Sequence, residues 1–417
     1  MVTPGSRTSR PHLRASDLRG IARLATQATE NVTRISEGVH QSVWDTLGVR
    51  GGAAPGRTGG LTGFVYASVR GAARIVGKGA EAVLSTFEPM QASPQDAESG
   101  SAAREAVLAV MNGVLGDHLV ATGNPLATPM TLRRRGEVLD GPAMSSFPDA
   151  TGKVLLLVHG LCLNEGHWHA HDQGRVVDHG SALAAALDYT PVYVRYNTGL
   201  HTSQNGIELS AMLERLVEQW PVPIEELTIL AHSMGGLVAR SACYQAERDG
   251  LRWRGFLKHL VFLGTPHHGT PLERAGNWVD QLLGGMRYTA PFAMLGKLRS
   301  AGITDLRYGH VVDEDWQGHD RFHHKADTRQ VVPLPDHVAC HTVAATAAAK
   351  RSATADELIG DGLVPIDSAL GQHPDARRTL GFASTSQWIA YRTNHMQLLG
   401  SPEVTRQIVE WLTPTNT

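Results

Sequence analysis

The sequence predicts an α/β fold in which helices flank a mostly parallel sheet. Two observations predict it. From about residue 150 onwards, short apolar runs of strand length alternate with amphipathic helical patterns, which is typical of a parallel sheet covered on both faces. The runs are also continuously apolar, as in KVLLLV within residues 153–160. A strand that is buried on both faces needs no alternation of polar and apolar residues.

The elements of this domain follow one another in a regular order. Each apolar run ends in a turn, and the helical patterns repeat their apolar residues at spacings of three and four. We predict strands at 153–160, 191–197, 226–231, 258–264, 337–347 and 383–391, and helices at 181–187, 207–220, 234–248 and 402–413. The pattern is less regular between about 270 and 336, which we interpret as an insertion.

The length of 417 residues leaves a surplus, because a large α/β domain usually takes up to about 250 residues. We assign residues 150–417 to the α/β domain and residues 1–149 to an N-terminal helical extension. Helices are predicted at about 14–47, 64–87 and 102–120. Residues 1–80 carry eleven Lys and Arg against four Asp and Glu. Two interpretations stay open: packing on the main domain, or contact of residues 14–87 with an anionic membrane or lipid granule.

Composition narrows the class of protein. The chain is 42% hydrophobic and 19% charged, with a net charge of −2, which argues against a globally basic nucleic-acid-binding protein and a charge-driven disordered chain. The three cysteines are too few and too widely spaced for a disulfide framework or a zinc motif, and they favour a reducing, cytoplasmic compartment. We see no apolar core of a signal peptide near the start and no apolar stretch of transmembrane length.

A candidate nucleophile, Ser233, lies between a predicted strand and a predicted helix. Its surroundings read Ala231-His232-Ser233-Met234-Gly235, a form of G-x-S-x-G in which alanine replaces the first glycine. In this motif the serine occupies a tight, strained turn, and only very small residues fit two positions before and after it. The helix that follows directs its N-terminal dipole toward the serine.

These residues resemble the bacterial lipases and esterases of the α/β-hydrolase superfamily. A further segment, GTPHHGT at 264–270, is similar to one found in lipases and in hydrolases of the GPI inositol-deacylase-like branch. The resemblance covers residues 150–417. It implies an α/β-hydrolase fold, in which an insertion such as that at about 270–336 usually forms a cap over the site; extra packing on the edge of the domain is the alternative. It also implies an oxyanion hole made by the backbone N–H groups of Leu161, in His159-Gly160-Leu161, and of Met234.

The acid and the base are expected after the serine, in that order. The best acid is Asp361 in Gly-Asp-Gly-Leu-Val, which resembles the acid-bearing stretch of the lipases. The best base is His395, 34 residues later, just before the last helix. The competing acids are Asp356 and Asp367. The competing bases are His373 and His159, of which the second is expected to hold the oxyanion loop instead.

Two histidine-rich segments raise the question of a metal. His167, His169 and His171 alternate after the predicted oxyanion loop, and a second group lies in the insertion. The second group comprises His310, Asp313, Asp315, His319, Asp320, His323 and His324. Imidazoles and carboxylates bind zinc, but these spacings match no specific motif. Adjacent His267 and His268 are a weaker zinc candidate. We therefore expect no required cofactor and assign no metal site.

The sequence thus favours a serine hydrolase that acts, through an acyl-enzyme, on esters with an apolar acyl group; lipids and polyesters both stay open as substrates. Acyl transfer or amide hydrolysis by the same three residues is the enzymatic alternative. A scaffold associated with lipid granules or membranes is an alternative of another class, and it rests only on the basic N-terminal helices.

Overall fold

A computed structural model describes the protein at residues 16–30, 52–54, 57–58, 67, 102–141, 144, 148–172, 175–270, 300–318, 327–349 and 360–414. The chain divides into two compact units. The first comprises residues 1–105 and 119–127, and the second comprises residues 106–118 and 128–417. The predicted boundary at residue 149/150 stays a prediction. Most of the predicted helices at 14–47 and 64–87, and much of the insertion at 270–336, lie outside the described residues.

The first unit is held together by a few well-defined contacts. Residues 16–30 form a helix, α1, and Gly52–Ala54 (β1) pairs with Arg57–Thr58 (β2) in a short antiparallel hairpin. On α1, Asp17 accepts two hydrogen bonds of 2.6 Å from the Arg104 guanidinium. Such a bidentate pair fixes orientation as well as distance.

The second unit is built around an eight-stranded sheet, ordered β12-β11-β10-β9-β5-β8-β3-β4. Six neighbouring strands, from β12 to β8, are parallel, whereas β3 runs antiparallel to β8 and β4 antiparallel to β3. The strands are β3 Thr131–Arg134, β4 Glu137–Val138, β5 Lys153–Val158, β8 Thr190–Arg195, β9 Glu226–His232, β10 Leu257–Leu263, β11 Ala339–Thr346 and β12 Gln387–Tyr391. A separate hairpin joins β6 Ala170–Asp172 to β7 Arg175–Val177.

Helices cover both faces of this sheet. They are α2 Ala102–Ala121, α3 His179–Leu187, α4 Thr202–Gln219, α5 Met234–Asp249, α6 Ala301–Tyr308, α7 Ile366–Ala369 and α8 Pro402–Leu412. Alternate residues of β5 point to opposite faces: Leu155 and Leu157 join one buried cluster with α3 and α8, and Leu156 joins the other with α4 and α5. Each buried leucine contributes roughly 1.5–3 kcal/mol of transfer free energy.

The order and type of the predicted elements in the α/β domain are confirmed, as is the predicted helix at 102–120. Together with the largely parallel sheet and its helical crossovers, this confirms the α/β-hydrolase fold.

The sequence did not indicate β3 or β4, which belong to the sheet although they precede residue 150. The segment Thr131–Arg134 has Leu132 as its sole apolar residue, so no apolar run marks it as a strand. Among the described residues, no helix is long and apolar enough to cross a membrane.

Candidate active site

Ser233 occupies the turn between β9 and α5 in a strained backbone conformation. Its φ of 56° and ψ of −124° lie outside the regions that a side chain with a Cβ normally adopts. Its backbone N–H donates to the carbonyl of Leu263 at 2.8 Å, so the end of β10 holds the turn in place. Ser233 is fully buried, and its hydroxyl has no hydrogen-bond partner among the described residues. Surroundings that force such a conformation often serve a functional site.

The small residues around Ser233 let neighbouring backbones approach closely. A Cβ on Gly235 would lie 2.5 Å from the Val158 carbonyl oxygen, and one on Gly236 would lie 2.0 Å from Thr265 Oγ1. Real Cβ atoms do not approach so closely, so α5 can lie against the ends of β5 and β10 only with glycine at these two positions.

The loop after β5 passes directly beside Ser233. A Cβ on Gly160 would lie 2.9 Å from the Ser233 Cβ. Cys162 has a positive φ of 59°, and its N–H donates to Thr198 Oγ1 at 3.1 Å. Within the described part of the chain, the N–H groups of Leu161 and Met234 donate to no protein acceptor. Buried N–H groups are rarely left unpaired, so these two are available to a ligand oxygen.

Asp361 and His395 are in direct contact. His395 Nδ1 lies 2.6 Å from Asp361 Oδ2, and both side chains are buried. The other carboxylate oxygen, Oδ1, accepts the N–H groups of Leu363 at 2.9 Å and Val364 at 2.7 Å. These bonds fix the plane of the carboxylate. Because the carboxylate accepts at Nδ1, the neutral imidazole carries its hydrogen on Nδ1 and a lone pair on Nε2.

The Asp361–His395 pair lies at the same edge of the sheet as Ser233. A Cβ on Gly264, directly after β10, would lie 3.1 Å from the His395 ring. His232, next to Ser233, has its ring centroid 4.7 Å from that of His395, and its Nε2 donates to the His395 carbonyl at 3.2 Å. The structure therefore places Ser233, Asp361 and His395 at one edge of the sheet; Asp361 and His395 are joined by a hydrogen bond, and the Ser233 hydroxyl has no partner among the described residues.

Two buried histidines beside Ser233 are neutral near pH 7. Burial, with a further contribution from His395, lowers the pKa of His232 well below its usual range. Burial also lowers the pKa of His159 to about 4. His159 stacks on Tyr196 at 4.5 Å, and the Tyr196 hydroxyl donates to the His159 carbonyl at 2.7 Å. These contacts anchor the start of the loop that leads to Leu161.

The competing acid Asp367 and the competing base His373 lie apart from Ser233, whereas the other competing base, His159, is the buried neutral histidine at the start of the loop to Leu161. Asp367 is exposed on α7, and His373 pairs with Asp327 at 3.5 Å. Asp356 lies outside the described residues.

In the part of the chain that the structure describes, His169 and His310 contact different carboxylates, and that of Asp305 also contacts His201 Nδ1 at 3.0 Å. His169 Nδ1 lies 2.8 Å from Asp178, and His310 Nδ1 lies 3.0 Å from Asp305. Among the described residues, no group of three or more His, Cys, Asp or Glu side chains is arranged to hold a metal ion. The side chain of His171 and residues 319–326 lie outside that description.

Several residues that support the site were not predicted from the sequence. Thr198 holds the loop after β5 through the Cys162 N–H group, and the N–H groups of Leu363 and Val364 orient Asp361. The Gly-Leu-Val motif contains the last two, but an ordinary threonine after β8 carries no signal in the sequence.

Comparison with known proteins gives the following. A family model described as a domain of unknown function (DUF7379) matches residues 134–306, and no curated protein matches the chain in sequence. The mature lipase BlEst2 of Bacillus licheniformis is similar in structure, with a TM-score of 0.40, 15% identity, and coverage of 69% of this chain and 100% of that one.

Two other solved structures are similar to the same degree. For the esterase PF2001 of Pyrococcus furiosus, the TM-score is 0.38 at 12% identity, covering 64% of this chain and 83% of that one. For the RedJ thioesterase from the prodiginine biosynthetic pathway of Streptomyces coelicolor, the TM-score is 0.35 at 16% identity. That match covers 67% of this chain and 96% of the thioesterase chain. The fold class rests on the strand order and the helical crossovers of the sheet.

Proposed function

We propose that this chain is a serine carboxylic-ester hydrolase in which Ser233 is the nucleophile, His395 the general base and Asp361 the acid. The observation that carries the proposal is the buried Asp361–His395 hydrogen bond at the sheet edge where Ser233 occupies its strained turn. Serine at such a turn, followed in the chain by the acid and then the base, is the arrangement of α/β-hydrolase catalysis.

The reaction follows from these positions. His395 Nε2 takes the Ser233 hydroxyl proton while Oγ attacks the ester carbonyl carbon. The resulting oxyanion accepts hydrogen bonds from the N–H groups of Leu161 and Met234. These hydrogen bonds become stronger as negative charge develops on the oxygen. Collapse of this intermediate expels the alcohol, which receives the proton from His395. Water then loses a proton to His395 and attacks the acyl-enzyme, which releases the carboxylic acid and restores the serine.

Asp361 fixes the tautomer of His395 and stabilises the imidazolium that forms during the reaction. Its two N–H donors keep the carboxylate aimed at Nδ1 in each step. An apolar acyl group is the proposed substrate feature. The resemblance to GPI inositol-deacylase-like hydrolases, a cytoplasmic location and a lipid-surface contact through residues 14–87 remain predictions from the sequence.

The test combines active-site labelling with a substrate series. A fluorophosphonate probe should label the wild type at Ser233, and p-nitrophenyl esters from acetate to palmitate should be hydrolysed with a chain-length optimum. Ser233→Ala should lose the label and several orders of magnitude of kcat/KM while its far-UV circular dichroism is unchanged. Full activity of this variant would overturn the assignment. Product analysis with an added alcohol or amine acceptor distinguishes hydrolysis from acyl transfer.

A further inference from the structure

A small recess lined by basic side chains lies on the second unit, apart from the proposed catalytic residues. Arg240, Arg329 and Arg378 line it together with His267 and His268. Its remaining walls are Gly309, Val311, Gln330, Val331, Val332 and Leu380. Three guanidinium groups around one recess require an explanation, because like charges repel one another and favour an anion between them.

Arg240 is the deepest of these cations. It lies on α5, seven residues after Ser233, and only 4% of its surface is exposed. One of its terminal nitrogens donates to the Val332 carbonyl at 2.5 Å, and the other lies 3.5 Å from His267 Nδ1. Among the described residues it forms no ion pair with a carboxylate. Burial lowers the pKa of Arg240 to about 10, so the guanidinium keeps its charge at neutral pH.

The neighbouring carboxylates are already committed to other partners. Asp327 accepts two hydrogen bonds from the Arg329 guanidinium, at 2.8 and 2.7 Å, and lies 3.5 Å from that of Arg378. Asp315 accepts backbone N–H groups, among them that of Val311 at 2.8 Å. Three cations therefore face two carboxylates, neither of which is paired with Arg240. A buried charge without a counter-ion is strongly destabilising.

Two hydrogen-bond donors of the lining residues are also unsatisfied. In the described part of the chain, the buried Nε–H group of Arg240 has no hydrogen-bond partner, and the same holds for His267 Nε2. An arginine nitrogen can only donate, so His267 Nδ1 accepts and Nε2 carries the hydrogen. Burial, with a further contribution from Arg240, lowers the pKa of His267 well below its usual range, which agrees with this neutral tautomer. A buried donor left without an acceptor costs about 1–3 kcal/mol.

The size of the recess limits its occupant. The cavity volume is about 20 Å³, whereas a single water molecule needs roughly 10–15 Å³ of such space. A halide ion is only slightly larger than water, and it accepts hydrogen bonds from several directions. A nucleotide or an acyl chain is far too large.

We propose that this recess is an anion site that binds a small inorganic anion of the chloride class between Arg240, Arg329 and His267. The anion supplies a counter-charge in direct contact with Arg240, on which Asp315 acts only from beyond ion-pair distance, and it accepts hydrogen bonds from donors that have no partner among the described residues. The site joins α5 to the segments around residues 267 and 329, so its occupation stabilises the folded second unit. This role does not depend on the proposed esterase activity.

The test measures the thermal midpoint of the full-length protein while sodium chloride replaces sodium gluconate at constant ionic strength and pH. Gluconate is too bulky for the recess. A site that binds only the folded state raises the midpoint saturably with chloride concentration. In crystals grown with sodium bromide, an anomalous peak is expected within hydrogen-bond distance of Arg240 Nε or His267 Nε2. A flat or non-saturating response, or no bromide peak, would overturn the proposal.

Variants locate the effect. Arg240→Gln should weaken the apparent chloride affinity at least about tenfold, because a charge-assisted hydrogen bond and the counter-charge are both removed. Arg329→Gln, at the more exposed rim, should also weaken the apparent chloride affinity. This variant is the test of the site if Arg240→Gln fails to fold. Arg252→Gln is the matched control, because Arg252 is exposed and pairs with Glu214 and Glu218. An equal response in all three variants, or stabilisation by inorganic phosphate but not by chloride, would contradict a halide-sized site.

Discussion

At the scale of single residues, the side chain of Thr198 positions the loop that contains Leu161 through a hydrogen bond with the backbone of Cys162. Cys162 has a left-handed backbone, and its N–H donates to Thr198 Oγ1 at 3.1 Å. That bond sets the peptide orientation directly after Leu161, whose own N–H is the proposed oxyanion donor. Thr198 is thus a positioning residue, which need not touch the substrate.

Replacing Thr198 should separate this role from simple packing. Thr198→Val keeps the shape of the side chain but removes the acceptor, so kcat should fall about tenfold or more with little change in KM. Thr198→Ser keeps the hydroxyl and should retain most of the activity. Steady-state kinetics on one p-nitrophenyl ester measure both values. Equal kcat in the wild type and in the valine variant would show that the loop holds its shape without this bond.

Asp361→Asn tests the acid without disturbing its surroundings. The amide oxygen can still accept the N–H groups of Leu363 and Val364, but an amide N–H facing Nδ1 favours the wrong tautomer of His395. A loss of kcat on the order of 10⁴ is expected, as for the equivalent change in other catalytic triads. The exposed Asp367→Asn is the control and should leave kcat unchanged. A comparable loss in both variants would point to a general effect of charge.

At the scale of elements, the packing of α5 on the strand ends depends on glycine. Alanine normally stabilises a helix by about 1 kcal/mol relative to glycine. At Gly235 the added Cβ would lie 2.5 Å from the Val158 carbonyl oxygen and 2.6 Å from that of His159, so backbone must move.

Gly235→Ala should therefore lower the free energy of unfolding by about 1–3 kcal/mol or more, although alanine has the higher helix propensity. Urea denaturation at pH 7 measures it. Gly255→Ala is the matched control, because a Cβ there meets open space and should be tolerated. If both variants proved equally stable, the close approach of α5 to β5 would have no energetic consequence.

The elements also show which sequence patterns predict structure. The strands of the parallel core are apolar on both faces, so an uninterrupted run such as that of β5 marks them. Strand β3, which lies between β8 and the edge strand β4, has a single buried leucine among polar residues, and pairing with β8 makes it a strand. Helix α6, which begins at the Ser300 cap, was not predicted, because eight residues give too little periodicity.

At the scale of the whole molecule, buried neutral histidines make stability depend on pH. Burial lowers the pKa of His159, His268 and His341 to about 4. Unfolding restores ordinary values near 6.5. Between these values the unfolded state binds more protons, so the free energy of unfolding falls as the pH decreases from about 6.5 toward 4. His169 acts in the opposite direction, because its hydrogen bond to Asp178 raises its pKa.

His341 offers a test far from the proposed catalytic residues. Its ring stacks on Trp411 at 4.8 Å, and neither ring nitrogen has a hydrogen-bond partner among the described residues. His341→Phe keeps the stacking and removes the titration, so the loss of stability between pH 6.5 and 5 should shrink by about 1–2 kcal/mol. Denaturant titrations at several pH values measure the slope. The exposed His337→Asn should leave that slope unchanged, and an unchanged slope in both variants would contradict the assignment.

The sequence by itself determined the fold class, and it predicted the strained turn at Ser233 with its small neighbours and the chain order of the proposed catalytic residues Ser233, Asp361 and His395. These are local patterns, since apolar periodicity and turn residues act over a few positions. Only the tertiary structure decided that Asp361, among several carboxylates, meets His395, that Thr198 holds the loop after β5, and that Arg240 is buried with no ion-paired carboxylate among the described residues. Such contacts join segments that are far apart in the chain. The order and register of the strands bring these segments together, and no local sequence pattern encodes that order.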